Sequence, residues 1–131
     1  MKYYAFRLLP GMDLKKEISK FVIENNVSAG VLITCVGSLR HAKLRLANEN
    51  IIRDYDEKFE ILSLVGTLGL DAVHLHISLG DSEGRAFGGH LLDECIIYTT
   101  AEIVIGHIEG IAFNREFSPE TGFKELDIVA M

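Results

Sequence analysis

Two imidazoles placed two residues apart on a β-strand stand side by side on one surface, the spacing by which a strand offers two nitrogens to a single metal ion. In Ala72-Val73-His74-Leu75-His76-Ile77-Ser78-Leu79 the alternation is complete. Val73, Leu75, Ile77 and Leu79 point to one face, and Ala72, His74, His76 and Ser78 to the other. A glycine-rich loop, Gly80-Asp81-Ser82-Glu83-Gly84-Arg85-Ala86-Phe87-Gly88-Gly89, then delivers His90 fourteen residues after His76. Paired glycines before a histidine allow positive φ and close approach to another strand, so a third imidazole can swing over the first two. Three neutral imidazoles hold Zn²⁺ with nitrogens at about 2.0–2.1 Å and leave a fourth position for water or substrate. Water bound to such an ion loses a proton near neutral pH. His74, His76 and His90 are thus the candidate ligands of a divalent metal, zinc by donor type. The competing reading is a polar strand face whose histidines bond to neighbours or line a subunit contact. The H-x-H pair alone is weak, and the Gly-Gly-His continuation makes the pattern more specific.

Other reactive groups rank lower. Glu102, inside the β-branched run Thr99–Ile105, is either a carboxylate orienting a histidine, a charge at an oligomer seam, or a solvated side chain. His41, among Arg40, Lys43 and Arg45, reads as solvated, and His107, at a strand end, as structural. Ser38, Ser63 and Ser78 lack a G-x-S-x-G setting. No Gly-Lys-Ser/Thr follows the glycine loop, so it is no P-loop, and it lacks the dinucleotide-binding spacing. Cys35 and Cys95 sit in apolar runs, far apart in sequence, and read as reduced, buried thiols.

The elements that must position the histidines follow from periodicity. Tyr3–Leu9 reads as a first strand, Pro10-Gly11 as a turn, and Asp13 as a helix cap. Leu14, Ile18, Phe21 and Val22 form one apolar helical stripe, stopped by Asn25-Asn26. Ala29–Val36 looks like a strand buried on both faces, following the helix in βαβ fashion. Further strands are expected at Leu39–Ala47, Ile51–Tyr55, Phe59–Leu68, Val73–Leu79, Leu91–Cys95, Thr99–His107, Ile108–Phe117 and Phe123–Val129. Asn48-Glu49-Asn50 and Ser118-Pro119-Glu120-Thr121-Gly122 are turn sequences. The expected fold class is α/β in the α+β sense: a mixed, mostly antiparallel sheet packed with one or two helices.

The 131 residues are 48% hydrophobic and carry a net charge of −6. That length predicts one domain over residues 1–131, able to bury a core without disulfides. No apolar stretch reaches the ~20 residues of a membrane helix, and the N-terminus does not read as a signal peptide. The expectation is a cytoplasmic protein with no membrane partner. Nineteen acidic against thirteen basic residues oppose broad nucleic-acid binding, which depends on clustered Lys and Arg.

An ordered set of segments resembles the plants-and-prokaryotes conserved (PPC) domain. It comprises Phe59-Glu60-Ile61-Leu62-Ser63-Leu64, His74-Leu75-His76, Gly80-Asp81 with Gly84, Gly88-Gly89-His90-Leu91, and Thr100-Ala101-Glu102-Ile103-Val104-Ile105. Phe113-Asn114-Arg115 and Thr121-Gly122-Phe123-Lys124-Glu125-Leu126 are similar too, so the resemblance runs through essentially the whole chain. It implies a mixed sheet packed against helices, assembly as a homotrimer, a role in association with DNA, and a metal at the histidine cluster, here His74, His76 and His90. The chain departs from the pattern of the plant proteins by having no Arg-Gly-Arg-Pro minor-groove element.

The function expected from sequence is therefore a free-standing homotrimeric protein, DNA-binding or DNA-associated through a protein partner, with a three-histidine zinc-type site. The alternative is a metal-dependent enzyme on a small molecule. There, metal-bound water is the nucleophile, a carboxylate such as Asp81, Glu83 or Glu102 the general base, and Arg85 the clamp for an anionic substrate. A third possibility is a purely structural trimer whose histidine face packs at the subunit seam.

Overall fold

A computed structural model describes residues 1–48 and 50–131 and builds them from nine strands and one helix. The expected turn at Asn48-Glu49-Asn50 includes Glu49, which lies outside the described residues. Strand β1 (Lys2–Leu8) passes through the Pro10-Gly11 turn, where Gly11 takes φ 88°, into helix α1 (Leu14–Glu24). The Asp13 carboxylate accepts from the Lys16 amide at 3.1 Å, a cap worth about 1 kcal/mol. Leu14, Ile18 and Val22 are fully buried against the inner face of the sheet, and Phe21 stacks on Phe6 with ring centroids 4.1 Å apart. Asn25 ends the helix by donating from Nδ2 to the Phe21 carbonyl, and Asn26 turns the chain away at φ 51°.

The next strand, β2 (Gly30–Arg45), unites the two strands expected at 29–36 and 39–47. Register shifts between Leu32 and Thr34, Gly37 and Leu39, and Leu39 and His41 bend it. It therefore serves several partners: β3 (Ile52–Tyr55), β4 (Phe59–Leu68), β6 (Ala86–Leu91) and β7 (Ile96–His107). With β5 (Val73–Gly80) the sheet order is β1-β7-β2-β4-β5-β6, and β3 pairs off this path on β2. Among the described residues every strand pairing is antiparallel. The parallel character expected of β1-α1-β2 survives only indirectly, because β7 inserts between the two strands and both run antiparallel to it.

Leu44 pairs with Leu91 and Arg45 with His90, so β6 returns to β2 and closes β2-β4-β5-β6 into a ring. The inner face of this ring and of the adjoining sheet is the core, with Leu39, Leu44, Leu68, Leu75, Leu79 and Leu91 at 0% exposure. Cys35 and Cys95 are free and buried there. Burial pushes their thiols up to about 12 and about 11, so both behave as small apolar groups.

Two expectations need correction. The first half of β2 is not covered on both faces: Ile33 and Val36 are 47% and 57% exposed, because α1 covers only the inner side. Residues after Leu91 form a bend rather than a strand, with Glu94 at φ 74°. The last two strands, β8 (Ile111–Phe117) and β9 (Lys124–Ala130), pair only with each other, as a hairpin across the expected Ser118–Gly122 turn.

Candidate metal centre

The three histidines converge because of strand register. His76 and His90 are direct cross-strand partners of β5 and β6, and His74 lies two residues along β5 on the same outer face. Ring centroids are separated by 5.0 Å (His74–His76), 5.1 Å (His74–His90) and 5.6 Å (His76–His90). One ring nitrogen from each lies within 4.8 Å of the other two. In a tetrahedral site with bonds of about 2.0–2.1 Å the donor nitrogens stand ~3.3 Å apart. Rotation of the side chains by about an ångström gathers them, so the donor set fits a divalent ion of zinc type.

Gly88 and Gly89 make the approach possible, though not by the expected route. Neither has positive φ, and neither belongs to a loop: both lie in strand β6. A Cβ on Gly88 would stand 2.1 Å from the Ile77 carbonyl oxygen, and one on Gly89 2.8 Å from that of Arg45. The glycines let β6 lie tightly between β5 and β2. His90 is thus set in register rather than swung into place.

Electrostatics favours the neutral form of His74 and His90, the form that ligates metal. Burial, followed by His76, Arg115 and Arg45, holds His74 below its ordinary value, against an opposing pull from Glu125. Burial and Arg45 hold His90 lower still, at about 4. The Arg45 guanidinium Nη2 stands 3.4 Å from His90 Nδ1, a contact that places the ring's lone pair at that nitrogen.

A cleft of about 840 Å³ opens beside His74 and His90. Its near wall is the ring of strands, with Arg45. Its far wall is supplied by Arg115, Phe123, Lys124 and Glu125, all on the β8-β9 hairpin, and Asp71 also lines it. The hairpin is seated by the Phe113 amide donating to the Ser28 carbonyl at 2.8 Å and by the Arg115 amide donating to Asp71 Oδ2 at 3.1 Å. The Arg115 guanidinium donates to Thr67 Oγ1 at 3.1 Å.

Other sequence candidates fall outside this site. Arg85 bonds to Asp81 and Glu83 in the β5-β6 turn, one residue beyond the Gly80–Ala86 pair and so five residues from the His76-His90 pair, or ~17 Å along the strand. Asp81 shapes that turn by accepting the Glu83 and Arg85 amides. Glu102 is exposed on β7, between Arg7 and Val36, and Val36 lies nine residues along β2 from Arg45, the partner of His90. His41 reaches Asp54 at 3.0 Å, and His107 meets Ser28 Oγ at 3.2 Å, a structural role as expected. Sequence reasoning missed Arg45 and Arg115 as cleft residues. The alternation Lys43-Leu44-Arg45 marks Arg45 as outward-facing, but only the β2-β6 pairing puts it beside His90.

The family profile of the Plants and Prokaryotes Conserved (PCC) domain matches residues 1–109, which include all three histidines and stop before the hairpin. A curated relative, the bifunctional protein GlmU of Synechococcus sp. (strain JA-3-3Ab), is 46% identical over 130 residues, 98% of this chain. The chain spans only 21% of that relative's length. A hypothetical protein from Salmonella enterica superposes with a TM-score of 0.95 at 36% identity, covering 98% of this chain and 94% of its own. A metal-containing protein from Archaeoglobus fulgidus gives 0.85 at 27% identity, with coverage of 97% and 94%. A protein from Bacteroides thetaiotaomicron described as a DNA-binding candidate also gives 0.85, at 24% identity and coverage of 95% and 91%, a likeness of fold alone.

Proposed function

The chain belongs to the Plants and Prokaryotes Conserved domain family, and from that premise we propose that it is a metal-dependent regulatory module in which His74, His76 and His90 hold a zinc-type divalent ion. The observation that carries this reading is the convergence of three imidazoles from two register-locked strands, two of them, His74 and His90, lining a cleft. When bound, the ion supplies an electrophilic centre with an open position for a ligand. Around it, His90 and Arg45 fix one wall and Arg115 the other. The metal-containing relative from Archaeoglobus supports the reading. Elemental analysis of purified protein is expected to find one zinc-type ion per chain, lost in His76→Ala. A metal-free protein with no measurable zinc affinity by calorimetry would overturn it.

The assembly in this reading is a homotrimer. Its support is an uncovered apolar strip, Ile33 and Val36 on β2 with Leu62 and Val65 on β4, on the same outer face as His76. Light scattering coupled to size exclusion is expected to give three times 14.6 kDa; a monomer at micromolar concentration rejects it. Association with DNA runs through a protein partner. Its support is the charge balance, nineteen acidic against thirteen basic residues and a net charge of −6, which weakens attraction to phosphate. A gel shift of bare duplex by the protein alone at ~50 mM salt, where phosphate contacts are strongest, would show direct contact instead.

Catalysis on a small molecule is the second reading, favoured by the size of the cleft, which lies in the range of small-molecule sites. Asp71 or Glu125, rather than Asp81, Glu83 or Glu102, is then the nearby carboxylate.

A further inference from the structure

Arg45 and Arg115 are half-buried guanidinium groups on opposite walls of one cleft, and among the described residues neither forms an ion pair with a carboxylate. A partly desolvated charge without a counter-charge is costly, so such a pair favours an anion between its members. The cleft residues sum to a local excess of positive charge: Arg45, Arg115 and Lys124 against Asp71 and Glu125. This excess sits in a protein that is acidic overall, which concentrates anions at this one place.

Arg45 also has a partner that it must lose. Its contact is His90 Nδ1 at 3.4 Å, and a neutral imidazole has one lone pair. If a metal ion takes Nδ1, that nitrogen accepts nothing more. If the ion takes Nε2 instead, Nδ1 carries the proton and again accepts nothing. In either case metal loading leaves Arg45 without its acceptor on His90, facing the cleft.

We infer that the cleft between the histidine strands and the β8-β9 hairpin binds a small oxyanion, a carboxylate or phosphate, through Arg45 and Arg115, and that metal loading releases Arg45 to do so. The inference rests on the metal reading for its coupling, and goes beyond it in naming the ligand class and the residues that select it. Two of the participating walls differ in origin: Arg45 lies within the segment matched by the family profile, whereas Arg115 lies beyond it. Guanidinium forks suit both oxyanions because each presents paired oxygens.

The test uses full-length protein loaded with one equivalent of zinc and freed of excess metal. It is titrated with succinate and, separately, inorganic phosphate, by calorimetry and amide-shift NMR. The expected result is saturable binding of at least one probe, with shifts clustered at residues 45, 74, 90 and 115. Arg115→Gln is expected to weaken it by about tenfold or more, Arg115→Lys to weaken it less, and the metal-free protein to bind more weakly than the loaded one. Zinc affinity of Arg115→Gln is expected to stay equal to or exceed that of the unaltered protein, since a nearby positive charge is removed. The comparison of succinate with phosphate tells which oxyanion class the cleft prefers. If zinc binds but neither probe saturates by ~10 mM, or if Arg45→Gln and Arg115→Gln leave probe affinity unchanged, the inference is overturned while the metal reading stands. If zinc itself does not bind, the metal reading falls, and equal anion affinity with and without added zinc overturns the release of Arg45.

Discussion

The two walls of the cleft are built by different rules. The histidine wall belongs to a closed ring of strands, and each imidazole stands opposite a fully or nearly buried partner on the inner face: Leu75 at 0% and Ile77 at 3% exposure alternate with His74 and His76. The arginine wall is a two-stranded hairpin outside the main sheet, with Phe117, Phe123 and Ile128 all at least half exposed. Its attachment is concentrated near Phe113 and Arg115. The three candidate metal ligands are thus carried by strands paired within the main sheet. The residues across the cleft, Arg115, Phe123, Lys124 and Glu125, are carried on a lightly anchored arm, where local opening costs less than global unfolding. In the proposed reading, a site divided in this way varies its selectivity without disturbing its metal.

The contrast can be broken most severely at Leu75, which lies between the two β5 histidines. Leu75→Ala should cost about 3 kcal/mol in urea unfolding, by the lost burial and the cavity left behind, and should weaken metal binding along with stability. An equal loss of stability from Phe117→Ala in the hairpin would remove the distinction. Next in size is His76→Ala, expected to weaken zinc binding by about a hundredfold, near 2.7 kcal/mol, while leaving metal-free stability almost unchanged because the side chain is exposed. Calorimetry and a thermal melt on the same sample measure both.

Gly69→Ala separates the walls directly. A Cβ there would stand 2.2 Å from the Phe113 carbonyl oxygen, so the hairpin must lift, at a cost of about 1–3 kcal/mol. Hydrogen exchange is expected to accelerate in residues 111–130 while zinc affinity persists. Loss of zinc affinity would mean that the hairpin also holds the histidines in place.

Acid should act on the histidine wall of the metal-free protein. His90, with its value depressed to about 4, and His74, also depressed, bind fewer protons folded than unfolded across that range. Their contribution is fully present above the ordinary histidine value of ~6.5 and declines as pH falls toward about 4. Urea midpoints taken from pH 7 down to pH 4 should fall, and His90→Gln should flatten the slope. The smallest effect belongs to Phe117→Ala, expected within about 0.5 kcal/mol of the unaltered protein in urea unfolding.

Much of the histidine wall was legible in sequence because strand alternation is local: Val73–Leu79 shows its two faces in consecutive residues. Helix α1 was legible for the same reason, from the cap at Asp13 to the stop at Asn25-Asn26. His90 was singled out as a candidate ligand but assigned to a loop, since Gly88-Gly89 signals flexibility in composition and close packing only in context. The arginine wall was not legible. Arg115 reaches the site through a hairpin docked on Ser28 and Asp71, residues remote in the chain, and no periodicity encodes that docking. Arg85 looked the better clamp because it was nearer in sequence, and its turn carboxylates take its charge instead.

Strand β2 must wait for residues synthesised long after it. One edge is completed by β4, but the other is closed only when β7 (Ile96–His107) inserts between β2 and β1. A nascent chain ending before Ile96 therefore leaves the apolar edge of β2 open to the wrong neighbours. Pairings this distant slow folding and lengthen exposure to aggregation. Production of the protein should consequently tax chaperones at the stage when the strands of the histidine ring have emerged but the second edge of β2 is still unpaired, and a chain stalled there would be a good seed for aggregates.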